Sequence, residues 1–144
     1  MADEKREQVM AAVIDRMKTI RTANGYLTDI GKNVFRWRMT PLNEGEVPGM
    51  SVRDPRRTVL RRYSDSLRDY QLTVEMEAVS APGSLTDSDL NNTLQDLYRA
   101  FLEVDPTFGG LVFSAEPDSD EKTFDHQAQK FGSAICRFNL TYRS

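Results

Sequence analysis

The stretch RDYQLTVEMEAV, residues 68–79, decides the fold that this sequence predicts. Every second side chain in it is apolar, and the side chains between them are mostly polar. The apolar set is Tyr70, Leu72, Val74, Met76 and Ala78. A period of two is typical of a strand with one buried and one solvated face. Because the second face is polar, we expect helices to cover this sheet on one side only.

Two segments with helical periodicity lie on either side of this strand. The first spans residues 3–23 and the second spans residues 87–102. Their apolar residues recur every three or four positions, as in helices that bury one face. The first stripe is Val9, Val13, Met17 and Ile20, and the second is Leu90, Leu94, Leu97, Tyr98 and Phe101.

Shorter alternations predict the remaining strands. Residues 34–79 contain strands interrupted by a basic loop at 53–66, and residues 111–142 contain two strands joined by an acidic loop at 116–125. The sequence has neither a linker composition nor an internal repeat, so residues 1–144 are expected to form a single domain. These elements predict an α+β fold: a mixed or antiparallel sheet of four to five strands, with two helices packed on one face.

The composition is that of a folded globular protein. Of 144 residues, 39% are hydrophobic and 28% are charged, and the formal net charge is −3. The first residues, MADEKREQ, lack the apolar core of a signal peptide, and no apolar run approaches the ~20 residues that cross a bilayer. Cys136 is the single cysteine, which fits a reducing compartment. We therefore expect a protein made in a cytoplasm, with no membrane partner.

The sequence offers no constellation of catalytic residues. His126 is the single histidine, and the adjacent Asp125 would point to the opposite side of an extended segment, so we expect an exposed loop histidine. Cys136 lies on the apolar face of the last strand, where a buried and inert thiol is expected. One histidine and one cysteine cannot assemble a zinc-type ligand set, and the glycines form no phosphate-binding pattern. We predict no catalytic, metal or cofactor-binding residues, no cofactor, and a protein that is not an enzyme.

Two segments carry more charge than their surroundings. In residues 53–62 five arginines and one aspartate give +4, and in residues 116–125 five acids and one lysine give −4. Both are consistent with solvated loops that keep a protein soluble. Complementary patches also favour head-to-tail association, and this interpretation explains both segments with one contact. The candidate subunit or partner interface consists of Arg53, Arg56, Arg57, Arg61, Arg62, Asp118, Asp120 and Glu121.

The basic segment also permits a function of another class, a nucleic-acid-binding module that uses the Arg53–Arg62 cluster. Arginine binds phosphates well through paired hydrogen bonds. Against this hypothesis, the segment lacks interleaved aromatic residues apart from Tyr63, and the whole chain is acidic. We rank the interface hypothesis ahead of it.

The order of elements and several local phrases match a known structural plan over nearly the whole chain. The phrases are Thr28-Asp29-Ile30-Gly31 leading to Val34-Phe35-Arg36, a strand at Met50 to Val52 preceded by proline, the long strand Tyr70 to Val79, the helix Asp89 to Leu102, and a last strand ending in LTYRS. This combination resembles the tail terminator proteins of long-tailed bacteriophages. None of the phrases is a catalytic signature, and neighbouring head–tail joining proteins share much of the same plan.

The resemblance implies a structural virion protein that forms a homo-oligomeric ring, expected to be a hexamer, on the head-proximal end of the tail tube. Such a ring stops growth of the tube and presents the surface that joins tail and head. The implied partners are the tail-tube protein and the head–tail connector proteins, with DNA only as passing cargo. The implied location is the tail and neck of the virion, after assembly in the bacterial host cytoplasm. Another neck or connector protein is the alternative within the same class.

Overall fold

The computed structural model describes residues 4–38, 40–80, 87–124 and 132–144. In these residues the chain forms two helices and five strands. The helices are α1 (Glu4–Met17) and α2 (Asp87–Tyr98), and α2 continues as a π-helical turn (Arg99–Glu103). The strands are β1 (Val34–Arg36), β2 (Gly49–Arg62), β3 (Arg68–Val79), β4 (Ser114–Phe124) and β5 (Gly132–Arg143).

The strands form one mixed sheet in the order β1-β2-β3-β5-β4. β1 runs parallel to β2, and the other neighbouring strands are antiparallel. The predicted α+β class is confirmed, with five strands and two helices. Because three antiparallel steps lead from β2 through β3 and β5 to β4, β2 and β4 run in opposite directions.

One face of the sheet, the helix face, carries the core. The side chains of β3 and β5 that point to it alternate along each strand and are buried: Tyr70, Leu72, Val74, Met76, Ala78, Ala134, Cys136, Phe138, Leu140 and Tyr142. The turn after α2 packs on this face through Phe101, whose ring stacks on Phe138 with 4.0 Å between centroids. Val13 and Met17 of α1 belong to the same buried cluster. The period of two in residues 68–79 therefore predicted the apolar buried side chains of β3 correctly, and Thr73 of the other face is buried as well.

Helix α1 is shorter than predicted, because it ends at Met17 and not near residue 23. The chain turns there, and the backbone N–H of Ile20 donates to the Met17 carbonyl at 3.1 Å. The segment Ile30–Lys32 crosses this turn so closely that a Cβ atom on Gly31 would lie 2.3 Å from the Met17 oxygen. Ile20 is still buried. The apolar stripe therefore identified the buried side chains but not the end of the helix.

The predicted basic loop at 53–66 is wrong for residues 53–62, and the predicted acidic loop at 116–125 is wrong for residues 116–124. Residues 53–62 form the outer part of β2, residues 63–66 form the bend after it, and residues 116–124 belong to β4. The strand expected from residue 111 begins at Ser114, after a turn. Both charged stretches lie at sheet edges where most of their side chains remain exposed, so the apolar alternation that reveals a strand is missing. Asp125 and His126 lie outside the described residues.

The phrase Thr28-Asp29-Ile30-Gly31 has a structural explanation. The Thr28 backbone N–H and hydroxyl both donate to one carboxylate oxygen of buried Asp96, at 2.7 and 2.6 Å, and this ties the segment to α2. Asp29 accepts hydrogen bonds from the backbone N–H and hydroxyl of Thr22, at 2.9 and 3.1 Å. These contacts lower the pKa of Asp29, with the Thr22 backbone hydrogen bond as the main cause. The phrase thus fixes the connection that follows α1. Neither of the helices that the structure describes is long and apolar enough to cross a membrane.

Candidate assembly interface at the two sheet edges

The two charged segments lie toward opposite edges of the sheet. β1 pairs only with Met50–Val52, so in the described part of the chain no strand lies against the outer side of residues 53–62. β4 is the last strand at the other side and pairs with β5. We call residues 53–62 the basic edge and residues 114–124 the acidic edge. An unpaired edge presents backbone N–H and C=O groups that can accept another strand.

Two of the five arginines of the basic edge are partly buried and engaged within the chain. Arg53 forms an ion pair with Glu75. Arg57 lies on the helix face, where its guanidinium stacks over the Tyr70 ring at 4.0 Å from the centroid. The same guanidinium donates to the Tyr142 hydroxyl at 3.2 Å. These two side chains therefore stabilise the monomer and are poorly placed to meet a partner.

The other three arginines of this edge are exposed. Arg62 pairs with Asp65 inside its own hairpin. The Arg61 guanidinium lies 4.9 Å from the centroid of the Tyr63 ring. Arg56 has neither a hydrogen-bond nor an ion-pair partner among the described residues. Of the predicted basic interface residues, Arg56 is thus the one with neither a hydrogen bond, an ion pair nor a ring contact among the described residues.

The acidic edge divides in the same way. Asp120 accepts a hydrogen bond from the Tyr98 hydroxyl at 2.7 Å, and a Glu121 oxygen lies 3.4 Å from the Arg137 guanidinium. Burial and the bond to Asp120 raise the pKa of Tyr98, so this hydroxyl keeps its proton. Asp120 and Glu121 therefore have partners within the chain.

Glu116 and Asp118 are exposed and have no partner in the part of the chain that the structure describes. Asp118 lies at an irregularity of β4, between Pro117 and Ser119, where the register with β5 shifts. Glu116 stands opposite Asn139 of β5 in regular pairing. Directly opposed residues share a face, so Glu116 lies on the face turned away from the helices, the polar face.

Two rows of side chains cross the polar face from edge to edge. The first, the closed row, consists of Arg53, Glu75, Arg137 and Ser119 on β2, β3, β5 and β4. The second, the open row, consists of Arg56, Thr73, Asn139 and Glu116 on the same four strands.

The charges of the closed row satisfy one another. The Arg137 Nε–H donates to Glu75 at 2.7 Å, and its Nη1 donates to Ser119 at 3.3 Å. Burial alone would raise the pKa of Glu75, but hydrogen bonds from Arg53 and Arg137 outweigh it and lower that pKa below its usual value. The hydrogen bond to Glu75 is also the main cause of a raised pKa of Arg137. The closed row is therefore a completed network within one chain.

In the open row, only the two middle side chains form a hydrogen bond with each other. Thr73 donates to the Asn139 Oδ1 atom at 3.0 Å. Its two ends, Arg56 and Glu116, carry opposite charges on opposite edges. One copy thus presents a cation on one edge and an anion on the other, at the same position along the strand direction.

Exposed apolar side chains accompany these edges. Val59 on the basic edge is 53% exposed and Phe113, just before the acidic edge, is 57% exposed. Val59 lies opposite Tyr70, which in turn lies opposite Tyr142. Phe113 is a bend residue that precedes β4, its backbone N–H donates to the Thr141 carbonyl at 2.6 Å, and the Arg143 guanidinium lies 5.2 Å from its ring centroid. Exposed apolar surface is therefore present at or next to both edges.

The structure agrees with the buried, inert thiol that the sequence predicts for Cys136. Cys136 is buried, and this burial raises its pKa to about 12, so the thiol stays protonated. The described residues hold no group of three or more potential metal ligands. His126, the other candidate, lies outside them.

A cleft of about 490 Å³ is lined by Trp37, Arg38 and residues 40–42 on one side and by the polar face on the other. Arg38 and Arg53 line it, and each pairs with a glutamate, Glu46 and Glu75 respectively. Its described lining contains neither a histidine nor a cysteine. The described residues that line the cleft therefore include no activated nucleophile.

The structure brings the predicted interface residues to two edges of one sheet, as single strands and not as loops. Sequence reasoning missed three residues of these surfaces, Val59, Phe113 and Glu116. The row that Glu116 shares with Arg56 follows only from the strand register, which the sequence does not reveal. Comparison with protein-family models gives no match, and a search of curated proteins gives none.

Proposed function

We propose that this chain is a structural virion protein, a tail terminator that forms a ring on the head-proximal end of a phage tail tube. One observation carries the proposal: a single sheet has a basic edge and an acidic edge, and the strands at these edges run in opposite directions. Two different, complementary surfaces on one chain favour head-to-tail contacts, which close into a ring when the rotation between copies permits.

Strand direction supports this mode of contact. When copies in the same orientation stand side by side, β2 of one copy meets β4 of the next. Those strands are antiparallel, so the alternation β2-β3-β5-β4 continues across the contact without a break. Antiparallel edges can pair through regular backbone hydrogen bonds. The sheet geometry thus agrees with the opposite charges of the edges.

The role at the tail rests on the resemblance, together with this capacity for ring formation. A ring of this kind, expected to have six subunits, binds the last ring of tube protein, stops growth and offers its other face to the head's connector proteins. DNA passes through as cargo, and the chain needs neither a cofactor nor an active site for this role. Another neck or connector protein would show the same edges, and the two differ in which partner they bind.

The distribution of the arginines argues against a nucleic-acid-binding module. Arg53 and Arg61 lie opposite the acids Glu75 and Asp69 on the polar face, whereas Arg57 lies on the helix face. A phosphate backbone would therefore meet a broken basic surface with acids between the arginines. Binding that depends on Arg56 and Arg61, and that weakens steeply with salt, would support the alternative.

The proposal is tested by adding the purified protein to growing tail tubes of the same phage. We expect electron micrographs to show a ring at one end of each tube and a shorter mean tube length as the protein concentration rises. Tubes that grow unchanged, without end-bound rings, would contradict the terminator role. Binding to connector protein in place of the tube would assign the chain to the neighbouring neck component.

A further inference from the structure

The open row and its neighbours specify how two copies meet, an inference that rests on the proposed ring. We propose that β2 of one copy pairs with β4 of the next in the register that places Arg56 opposite Glu116. Both side chains are exposed and lack a partner among the described residues of their own chain. Both also lie on the polar face, at the two ends of one cross-strand row. The occupant of each edge is therefore a second copy of this chain.

Once Arg56 is placed opposite Glu116, the antiparallel pairing also determines which other residues of β2 and β4 become neighbours. With Arg56 opposite Glu116, each step along β2 is one step back along β4, so Thr58 falls opposite Ser114, the first residue of β4. Val59 on β2 then comes near Phe113, the bend residue before β4, and both are large apolar residues more than half exposed, at 53% and 57%. The contact thus neutralises a charged pair and brings exposed apolar side chains of two copies together.

Irregularities limit the paired segment at both ends. β2 shifts register between Arg53 and Arg56 and again between Val59 and Arg61. β4 shifts register between Pro117 and Ser119, on the far side of Glu116 from Phe113. Residues 56–59 and 114–116 are therefore regular strand backbone beside irregular flanks. Bulges and charges at a free edge can also prevent pairing with another strand. The experiments below therefore test the register itself.

Charge reversal tests the contact. Arg56→Glu and Glu116→Arg each place like charges opposite one another, and we expect each to raise the concentration needed for half-assembly by about tenfold or more. An equal mixture of the two variants should assemble like the wild type, because each contact in an alternating ring joins opposite charges. Lys18→Glu and Asp15→Arg, exposed positions at the end of α1, are controls with the same changes in net charge.

The mixture separates this inference from the proposed function. If the wild type forms rings and both single variants assemble equally well, the register is wrong while the ring stands. The same holds if the mixture fails to restore assembly. A wild type that forms no ring, alone or with tube protein, overturns both proposals.

Cross-linking tests the register independently. Arg56→Cys combined with Glu116→Cys should form disulfide-linked oligomers larger than dimers, because each chain carries one cysteine on each edge. Disulfides require Cα atoms about 4.4–6.8 Å apart. Arg56→Cys combined with Asp120→Cys, a register four residues away, should form none. The reverse pattern would overturn the proposed register.

Discussion

The closed and open rows are neighbours on one face of one sheet, and both contain arginine and glutamate. They differ in whether these charged side chains have partners within the chain. In the closed row, Glu75 lies between Arg53 and Arg137, and each charge has a partner in the chain. In the open row, the hydrogen-bonded pair of Thr73 and Asn139 occupies the middle, and the charges stand at the edges. The difference teaches that charge on a sheet face is informative only once its partners are known. The closed row is a network completed within the chain, whereas the two ends of the open row have no partner among the described residues.

The largest expected difference comes from the same substitution made in each row. Glu75→Gln leaves Arg53 and Arg137 facing an uncharged amide, and we expect it to lower the free energy of unfolding by about 1–3 kcal/mol. Glu116→Gln, its matched control, should change that free energy by less than about 0.5 kcal/mol. Denaturant unfolding of both variants at a concentration below assembly measures the effect. Equal losses would show that the two rows do not differ as described.

The pH dependence sharpens the same comparison. The pKa of Glu75 is lowered in the folded chain from an ordinary value of 4.5, so its stabilising effect is fully present above 4.5. It is lost as the pH falls through the lowered value. The stability gap between wild type and Glu75→Gln should therefore be constant near neutral pH and close in acid. A gap that stays constant from pH 7 to pH 2 would contradict the ion-pair explanation.

A substitution in the middle of the open row should lower the free energy of unfolding by an intermediate amount. Thr73→Val removes the donor to the Asn139 oxygen in a position where Thr73 is only 7% exposed. We expect a loss of about 1 kcal/mol in thermal or denaturant unfolding. Thr58→Val, at an exposed position of the same face, is the control and should be neutral within about 0.5 kcal/mol. A neutral Thr73→Val would show that this hydrogen bond does not hold the row together.

The ends of the open row should have the smallest effect on the monomer and a clear effect on assembly. Arg56→Gln removes a charge without a partner among the described residues, so the melting temperature of dilute protein should stay nearly unchanged. Assembly should become weaker and less sensitive to salt, because salt screens the charge pair in the wild type. Light scattering across a salt series measures this slope. A slope equal to that of the wild type would exclude Arg56 from the contact.

The sequence was sufficient to predict the buried half of the fold. The alternation from Tyr70 to Ala78 and the stripe of α2 identified side chains that the structure buries, because burial in a core imposes a period that composition reveals. The end of α1 could not be predicted, since it depends on the distant Gly31, which crosses the turn at Met17.

The edges could not be predicted for a related reason. Residues 56–62 and 116–123 are exposed except for the partly covered Arg57, and strands without a buried face lack an apolar period. The sequence revealed their charge and even suggested that the two segments are complementary. It could not show that Arg56 and Glu116 share a row, because that fact comes from three strand pairings.

The most direct test of this account is the native mass of the purified chain, measured by light scattering at rising protein concentration and at low and high salt. The account predicts a defined ring, expected at six times the chain mass of 16.4 kDa, at low salt, and partial dissociation at high salt. If the free chain is monomeric, the same species should appear when tail-tube protein is added. A mass of 16.4 kDa at every concentration, unchanged by tube protein, would contradict head-to-tail assembly.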